Sequence, residues 1–208
     1  ARERNRDRGA GAAEGAVERR SVLIDFYASE AREHMARYGT RREDYALVAV
    51  KNHGNGSLNP KAQFQRARTL EEVLAAPMIA DPLTRLMCSP IGDGAAAAIL
   101  VSADFARRHA GAKPVTVAAS VLASGAPAAR RAAPVVTRAA ERAYRMAGVG
   151  PEDLDVAEVH DASAPAEVFL YEELGFCKPG AGGRLVAAGV PALAGKLTVN
   201  TSGGLLAT

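Results

Sequence analysis

The chain has 208 residues, 26 basic against 23 acidic side chains for a formal net charge of +3, and 48% hydrophobic but only 5% aromatic residues. That hydrophobic content excludes intrinsic disorder, and the length suits one globular domain or slightly more; two cysteines, Cys88 and Cys177, exclude a disulfide framework and point to a cytoplasmic compartment. The longest purely apolar run, Ala95 to Val101, is far short of the roughly 18 residues of a membrane span, and arginines and carboxylates are too evenly mixed for a nucleic-acid stripe.

Residues 1–16 alternate arginine, acid, glycine and alanine with nothing large and apolar, which predicts a mobile end. Leu23, Phe26, Tyr27, Ala31, Met35 and Tyr38 recur at spacings of three and four and predict an amphipathic helix, with Gly39 as its left-handed cap. Thr40 with Glu43 reads as a capping box for a second, shorter helix through Tyr45, Leu47 and Val48. Asn52 to Pro60 is dense in turn-formers and predicts an irregular loop, after which Thr69 with Glu72 opens a helix that stops at Pro77. Ala95 to Val101 has the composition of a strand buried on both faces, Ser102 caps a short helix through Phe105, and Val115 to Leu122 is again strand-like. Gly125 to Arg131 is a turn-rich connection. Pro134 opens a helix that should turn Val135, Val136, Ala139, Ala143 and Met146 inward before Gly148 stops it. Asp155 to Val159 predicts a short strand, Ser163 caps the helix through Leu174, the 180–183 glycines predict loop, and Leu197 to Val199 a last strand. Alternating strands and helices predict an α/β layered fold.

His160 and Asp161 form the most informative pair, because they sit where a strand ends and a helix begins, the edge at which open α/β sheets bind ligands. A neutral imidazole there can hold a water or donate to a developing oxyanion, with the adjacent carboxylate fixing its tautomer; a hydrogen-bonded histidine at a strand end is the bland alternative. Cys88 has no activating base or helix N-terminus in its flanking sequence and reads as an inert structural thiol, Cys177 still more so. His53 falls in the predicted loop, and His34 and His109 read as helix-surface residues. The histidines and cysteines share no ligand spacing, so no metal is expected. Gly203 and Gly204 supply small residues where backbone must come close to something, whether a thioester or a tight turn.

Four ordered stretches carry a resemblance: Val50-Lys51-Asn52-His53 with Leu58-Asn59-Pro60, Asp93-Gly94-Ala95-Ala96-Ala97, Glu158-Val159-His160-Asp161-Ala162, and Val199-Asn200-Thr201-Ser202-Gly203-Gly204-Leu205. In order and spacing they resemble the thiolases, more narrowly the sterol-carrier-protein or lipid-transfer type that includes acetyl-CoA acetyltransferases. The resemblance implies two similar αβα halves in an αβαβα arrangement, acting on acyl-coenzyme A by Claisen condensation or thiolysis, with coenzyme A as part of the substrate and no covalently bound cofactor. It places His160 at the oxyanion-hole position, with Asp161 beside it, and Ser163 where other thiolases carry phenylalanine. Ser89 and the Gly203–Gly204 pair correspond to positions near coenzyme A.

The nucleophilic cysteine of that family, its Gly-His-Pro histidine and its second cysteine have no counterpart in this sequence; they are expected upstream of Ala1 and after Thr208, so these residues by themselves are expected to be inactive. On the same resemblance residues 17–92 correspond to the loop domain, 93–112 to the end of the first half and 113–208 to the start of the second. The expected partners are acyl-CoA and either a second copy, as a homodimer, or a subunit with an acyl-CoA-binding barrel. Two other readings remain: a non-catalytic acyl-CoA- or lipid-binding or partner subunit, and a steroid side-chain aldolase.

Overall fold

The structure, a computed structural model, describes residues 21–109, 115–125 and 133–207. The mobile end at 1–16 and most of the 125–131 connection lie outside them. The described residues form α1 (Val22–Tyr38), α2 (Arg42–Leu58), α3 (Leu70–Ala75), β1 (Met78–Ala80), β2 (Leu83–Thr84), α4 (Ala103–Arg108), α5 (Val135–Ala147), β3 (Val156–Ala157), α6 (Ala164–Glu173), α7 (Gly182–Ala187), β4 (Thr198–Val199) and α8 (Gly204–Ala207). β1 and β2 pair antiparallel, and β3 and β4 pair parallel with Val156 opposite Thr198 and Ala157 opposite Val199.

Helix α2 is the axle. It packs on α3, α6, α7 and α8, and its buried Tyr45, Val48 and Ala49 join Ala28 and Ala31 of α1, Val73 of α3, Leu83 of β2, Val168 and Tyr171 of α6 and Val199 of β4 in one core. The buried stripe of α1 is Ala28, Ala31 and His34, the two alanines letting α1 lie close, whereas Leu23 and Phe26 of the predicted apolar face are exposed. Gly39 and Gly148 end α1 and α5 in the left-handed conformation, as expected. Thr69 accepts from Glu72 N and Ser102 from Phe105 N, so both predicted caps form.

Several expectations are corrected. Asn52 to Leu58 is the last part of α2 rather than loop: Asn52, His53, Asn55 and Gly56 are buried there and their contacts with other elements outweigh weak helix propensity. Helix α2 starts one residue later than the Thr40 box, because Thr40 Oγ1 is occupied by His34 Nδ1 at 3.0 Å, and Asp44 instead accepts from Arg41 N at 2.8 Å. His34 is buried, not superficial, and joins α1 to α6 through Glu172 at 3.1 Å. The 180–183 glycines are not all loop, since Gly182 and Gly183 open α7. Met146 of α5 is exposed and only Ala140 of that helix is buried. Residues 95–101 and 115–122 form neither helix nor ladder and are largely exposed, with Ile99 at 92% and Val115 at 96%. A strand needs a neighbouring ladder, and no described segment pairs with either one.

Candidate functional site

Because β3 and β4 are parallel, the segments that follow them leave the same sheet edge. After β3 the chain passes through Glu158, His160 and Asp161 to the N-terminus of α6; after β4 it turns through Asn200 to Gly204 into α8. Asn200, at φ +54°, stitches the two: its N–H donates to Ala157 O at 2.8 Å and its Oδ1 accepts from Val159 N at 2.8 Å. Glu158 accepts from Thr201 Oγ1, Ser202 N and Ser202 Oγ at 2.6–3.0 Å. Burial raises its carboxyl, but these hydrogen bonds and the charge of Lys51 outweigh that and hold it below the ordinary value. From the other side Ser89 N donates to Ala162 O at 3.1 Å and Cys88 forms a bridge with Ser163. Ser89, His160, Asp161, Gly203 and Gly204 therefore share one neighbourhood although they span more than half the sequence.

Within it, His160 and Asp161 have different surroundings. His160 is exposed, whereas Asp161 is fully buried and its carboxylate accepts from Leu205 N at 2.7 Å, Leu206 N at 3.4 Å and Asn52 Nδ2 at 2.7 Å. None of these partners is His160, so the expectation that Asp161 fixes the His160 tautomer is corrected: the carboxylate caps the turn into α8 instead. Gly203, at φ +104°, is small because α2 approaches it; a Cβ there would lie 2.8 Å from Gly56 Cα, and one on Gly204 would meet the Asp161 carboxylate.

Beneath the edge lies a polar cluster that the sequence reading passed over. Glu167, fully buried on α6, accepts from Lys51 Nζ at 2.9 Å and Tyr171 Oη at one oxygen, and from Asn52 Nδ2 at 2.6 Å and Asn200 Nδ2 at 2.7 Å at the other. Lys51 Nζ also donates to Val199 O at 2.6 Å and to Asn52 Oδ1. Asn55 Nδ2 holds Asn200 O at 2.8 Å. Burial and the nearby Glu167 charge push the Asp161 carboxyl up to about 7, against the backbone donors that favour its ionised form. Lys51, Asn52 and Asn200 stand inside the motifs that carried the resemblance but had no role there, and Glu167 reads in sequence as one more helix acid.

The remaining candidates are set apart. Burial raises the Cys88 thiol to about 11, and burial with Glu172 raises Cys177 to about 12, so neither is a thiolate near neutrality. His53 is buried on α2 with Nε2 3.4 Å from Leu86 O and Nδ1 unpartnered; desolvation lowers its pKa and favours the neutral ring. Ser163 occupies the N-cap of α6, but its buried hydroxyl makes no cap hydrogen bond. A cleft of about 700 Å³ opens at the far end of α6, lined by His34, Phe169, Glu172 and Cys177, and includes none of the predicted site residues. Among the described residues no group of three or more His, Cys, Asp or Glu is placed to hold a metal ion, and no helix is long and apolar enough to cross a membrane.

Residues 128–208 match the thiolase C-terminal domain-like family. An acetyl-CoA acetyltransferase of Methanothermobacter thermautotrophicus is 46% identical over 187 residues, covering 88% of this chain and 49% of the relative. Sterol carrier protein 2 of Oryctolagus cuniculus is 38% identical over 194 residues, covering 89% of this chain and 36% of the relative. Among solved structures, a chain of the Ltp2-ChsH2(DUF35) aldolase superposes with a TM-score of 0.77 at 29% identity, over 88% of this chain and 50% of that one. The chain thus spans about half the length of these relatives or less, and the α/β fold expected from the sequence is of the thiolase kind, its described sheets two-stranded. By its ordered motifs, its fold and these likenesses, the chain resembles the thiolase superfamily over most of its length.

Proposed function

We propose that this chain is part of a thiolase-type acyl-CoA C-acyltransferase and that it supplies the oxyanion side of the active site together with part of the coenzyme A groove. The observation that carries the reading is the convergence of Ser89, His160, Asp161, Gly203 and Gly204 at the edge of the parallel β3–β4 pair. In this reading the exposed His160 donates to the developing oxyanion of a thioester, and Ser89 and the Gly203–Gly204 turn border coenzyme A. Asp161 contributes through the backbone it holds. With Cys88 and Cys177 both raised well above neutrality, the chain has no competent acyl acceptor, so covalent catalysis needs a cysteine from elsewhere. The exposed, unpaired apolar segments at 95–101 and 115–122 support a body that completes the layers, either a second copy or a partner subunit.

Calorimetric titration with acetyl-CoA, alongside a thiolysis assay with acetoacetyl-CoA and coenzyme A, tests this. Binding that weakens in His160→Ala and Ser89→Trp, without turnover by the 208 residues, is the expected result. Absence of acetyl-CoA binding refutes the groove assignment, and robust thiolysis refutes the need for an outside nucleophile.

A second reading within the same site is a steroid side-chain aldolase working with a partner chain. It is favoured by the superposition on the Ltp2-ChsH2(DUF35) aldolase. Retro-aldol cleavage of a steroid-CoA substrate only when a DUF35-type chain is added would select it over acyl transfer.

A further inference from the structure

We infer that Lys51 and Asn52 are positioning residues for this site: Lys51 orients the Asn52 amide, and Asn52 fixes the Asp161 carboxylate that ties the His160 segment to the turn at Leu205 and Leu206. The inference rests on the reading above for what the site does, but the positioning itself is measurable in the chain without substrate.

The geometry leaves Asn52 one orientation. Its two Nδ2 hydrogens go to Asp161 Oδ2 at 2.7 Å and Glu167 Oε2 at 2.6 Å, and its Oδ1 accepts from Lys51 Nζ. A flipped amide would set an oxygen against two carboxylates and an NH₂ group against an ammonium. All three Lys51 donors are engaged, by Asn52 Oδ1, Val199 O and Glu167 Oε1, so the lysine cannot swing away without leaving buried acceptors unpaired. The groups that face Asp161 across this interior are Lys51 from α2 and Glu167 and Tyr171 from α6, with Glu158 beyond, held by Thr201 and Ser202. The segments from β4 and α8 bring Asn200, Leu205 and Leu206, none of which titrates.

Two carboxylates thus share one ammonium. Glu167 takes the direct contact, and Asp161 is reached through the amide. Every hydrogen-bond partner of Asp161 is a donor: Leu205 N on Oδ1, and Leu206 N and Asn52 Nδ2 on Oδ2. Burial and the Glu167 charge raise the Asp161 carboxyl to about 7. The ionised form is therefore the costlier one to hold in place, and the link between the His160 segment and the turn loosens as pH rises through about 7, where Lys51 and Asn52 must hold the charge.

Amide hydrogen exchange resolved by NMR, corrected for its intrinsic pH dependence, reads this out directly. In the wild type the protection of Leu205 and Leu206 is expected to fall about tenfold between pH 6 and pH 8, while Val73 of α3 stays flat. Lys51→Met leaves Glu167 unneutralised and is expected to move the midpoint up by about one pH unit, and Lys51→Arg to return it. Asn52→Leu, which removes a donor to the carboxylate, is expected to move the midpoint up as well and to lower the protection of both amides at pH 8. Protection of Leu205 and Leu206 that is independent of pH in the wild type overturns the inference, whether or not the variants fold. So does a midpoint unmoved in Lys51→Met, or a loss of protection shared equally by Val73. Failure to bind acetyl-CoA with these results intact counts against the acyl-CoA reading alone.

Discussion

Replacing Asp161 by asparagine should change how the stability of this protein depends on pH, and the sign follows from the environment of that carboxyl. An unfolded aspartate titrates near 3.9, whereas burial and the Glu167 charge raise Asp161 to about 7 in the folded chain. Between those two values the folded state holds a proton that the unfolded state has released, so the contribution of Asp161 is most favourable below the unfolded value and is lost as pH rises towards the folded one. With 1.36 kcal/mol per unit, that group alone costs roughly 3 kcal/mol more at pH 8 than at pH 5. Asp161→Asn removes the titration and substitutes a pH-independent cost, because its NH₂ group must face Asn52, Leu205 or Leu206, all donors. Urea unfolding of both proteins at pH 5 and pH 8 gives the difference. The variant is expected to gain on the wild type by roughly 3 kcal/mol over that interval. A stability difference that stays flat across it, or that widens against the variant with rising pH, would falsify the account of Asp161 as a carboxyl raised by burial.

Other expectations follow from single contacts. Gly203→Ala should destabilise by about 2 kcal/mol or more, since it strains a left-handed residue and drives a Cβ against Gly56; thermal unfolding unchanged from wild type would contradict the close approach. His34→Ala removes the buried ring shared by Thr40, Tyr45 and Glu172 and should cost about 1–3 kcal/mol by chemical denaturation, an equal value for the exposed His109→Ala being the contrary result. Cys88 and Cys177, with pKa values of about 11 and about 12, should react with a thiol reagent at pH 7.5 many-fold more slowly in the folded chain than in denaturant; rapid reaction of the native protein refutes their burial. Ile99→Lys together with Val115→Lys should reduce hydrophobic-dye binding and self-association while leaving unfolding nearly unchanged, because neither side chain is buried in the chain.

What the sequence determined by itself was local in origin or carried by motif. Caps at Thr69 and Ser102, left-handed ends at Gly39 and Gly148, and the α/β alternation all arise from interactions within a few residues, which composition and spacing record. The placement of His160 and Asp161 at a strand end also came from local order, and the family came from four spaced motifs.

The tertiary structure decided what distant parts do to one another. Asn52 to Leu58 has the composition of a loop, yet the Asp161 and Glu167 carboxylates and backbone from the β4 turn reward its polar side chains in a helix. His34 has the look of a surface residue until Thr40 and Glu172 close on it. Residues 95–101 have the composition of a buried strand, but neither burial nor a ladder can be supplied from within the segment itself. Asp161 was legible as a site residue and not as a cap, because its partners stand 109 positions upstream on α2 and 44 and 45 positions downstream on α8. Hydrogen bonds to a buried charge are chosen by proximity in space, and a single sequence carries no record of that proximity.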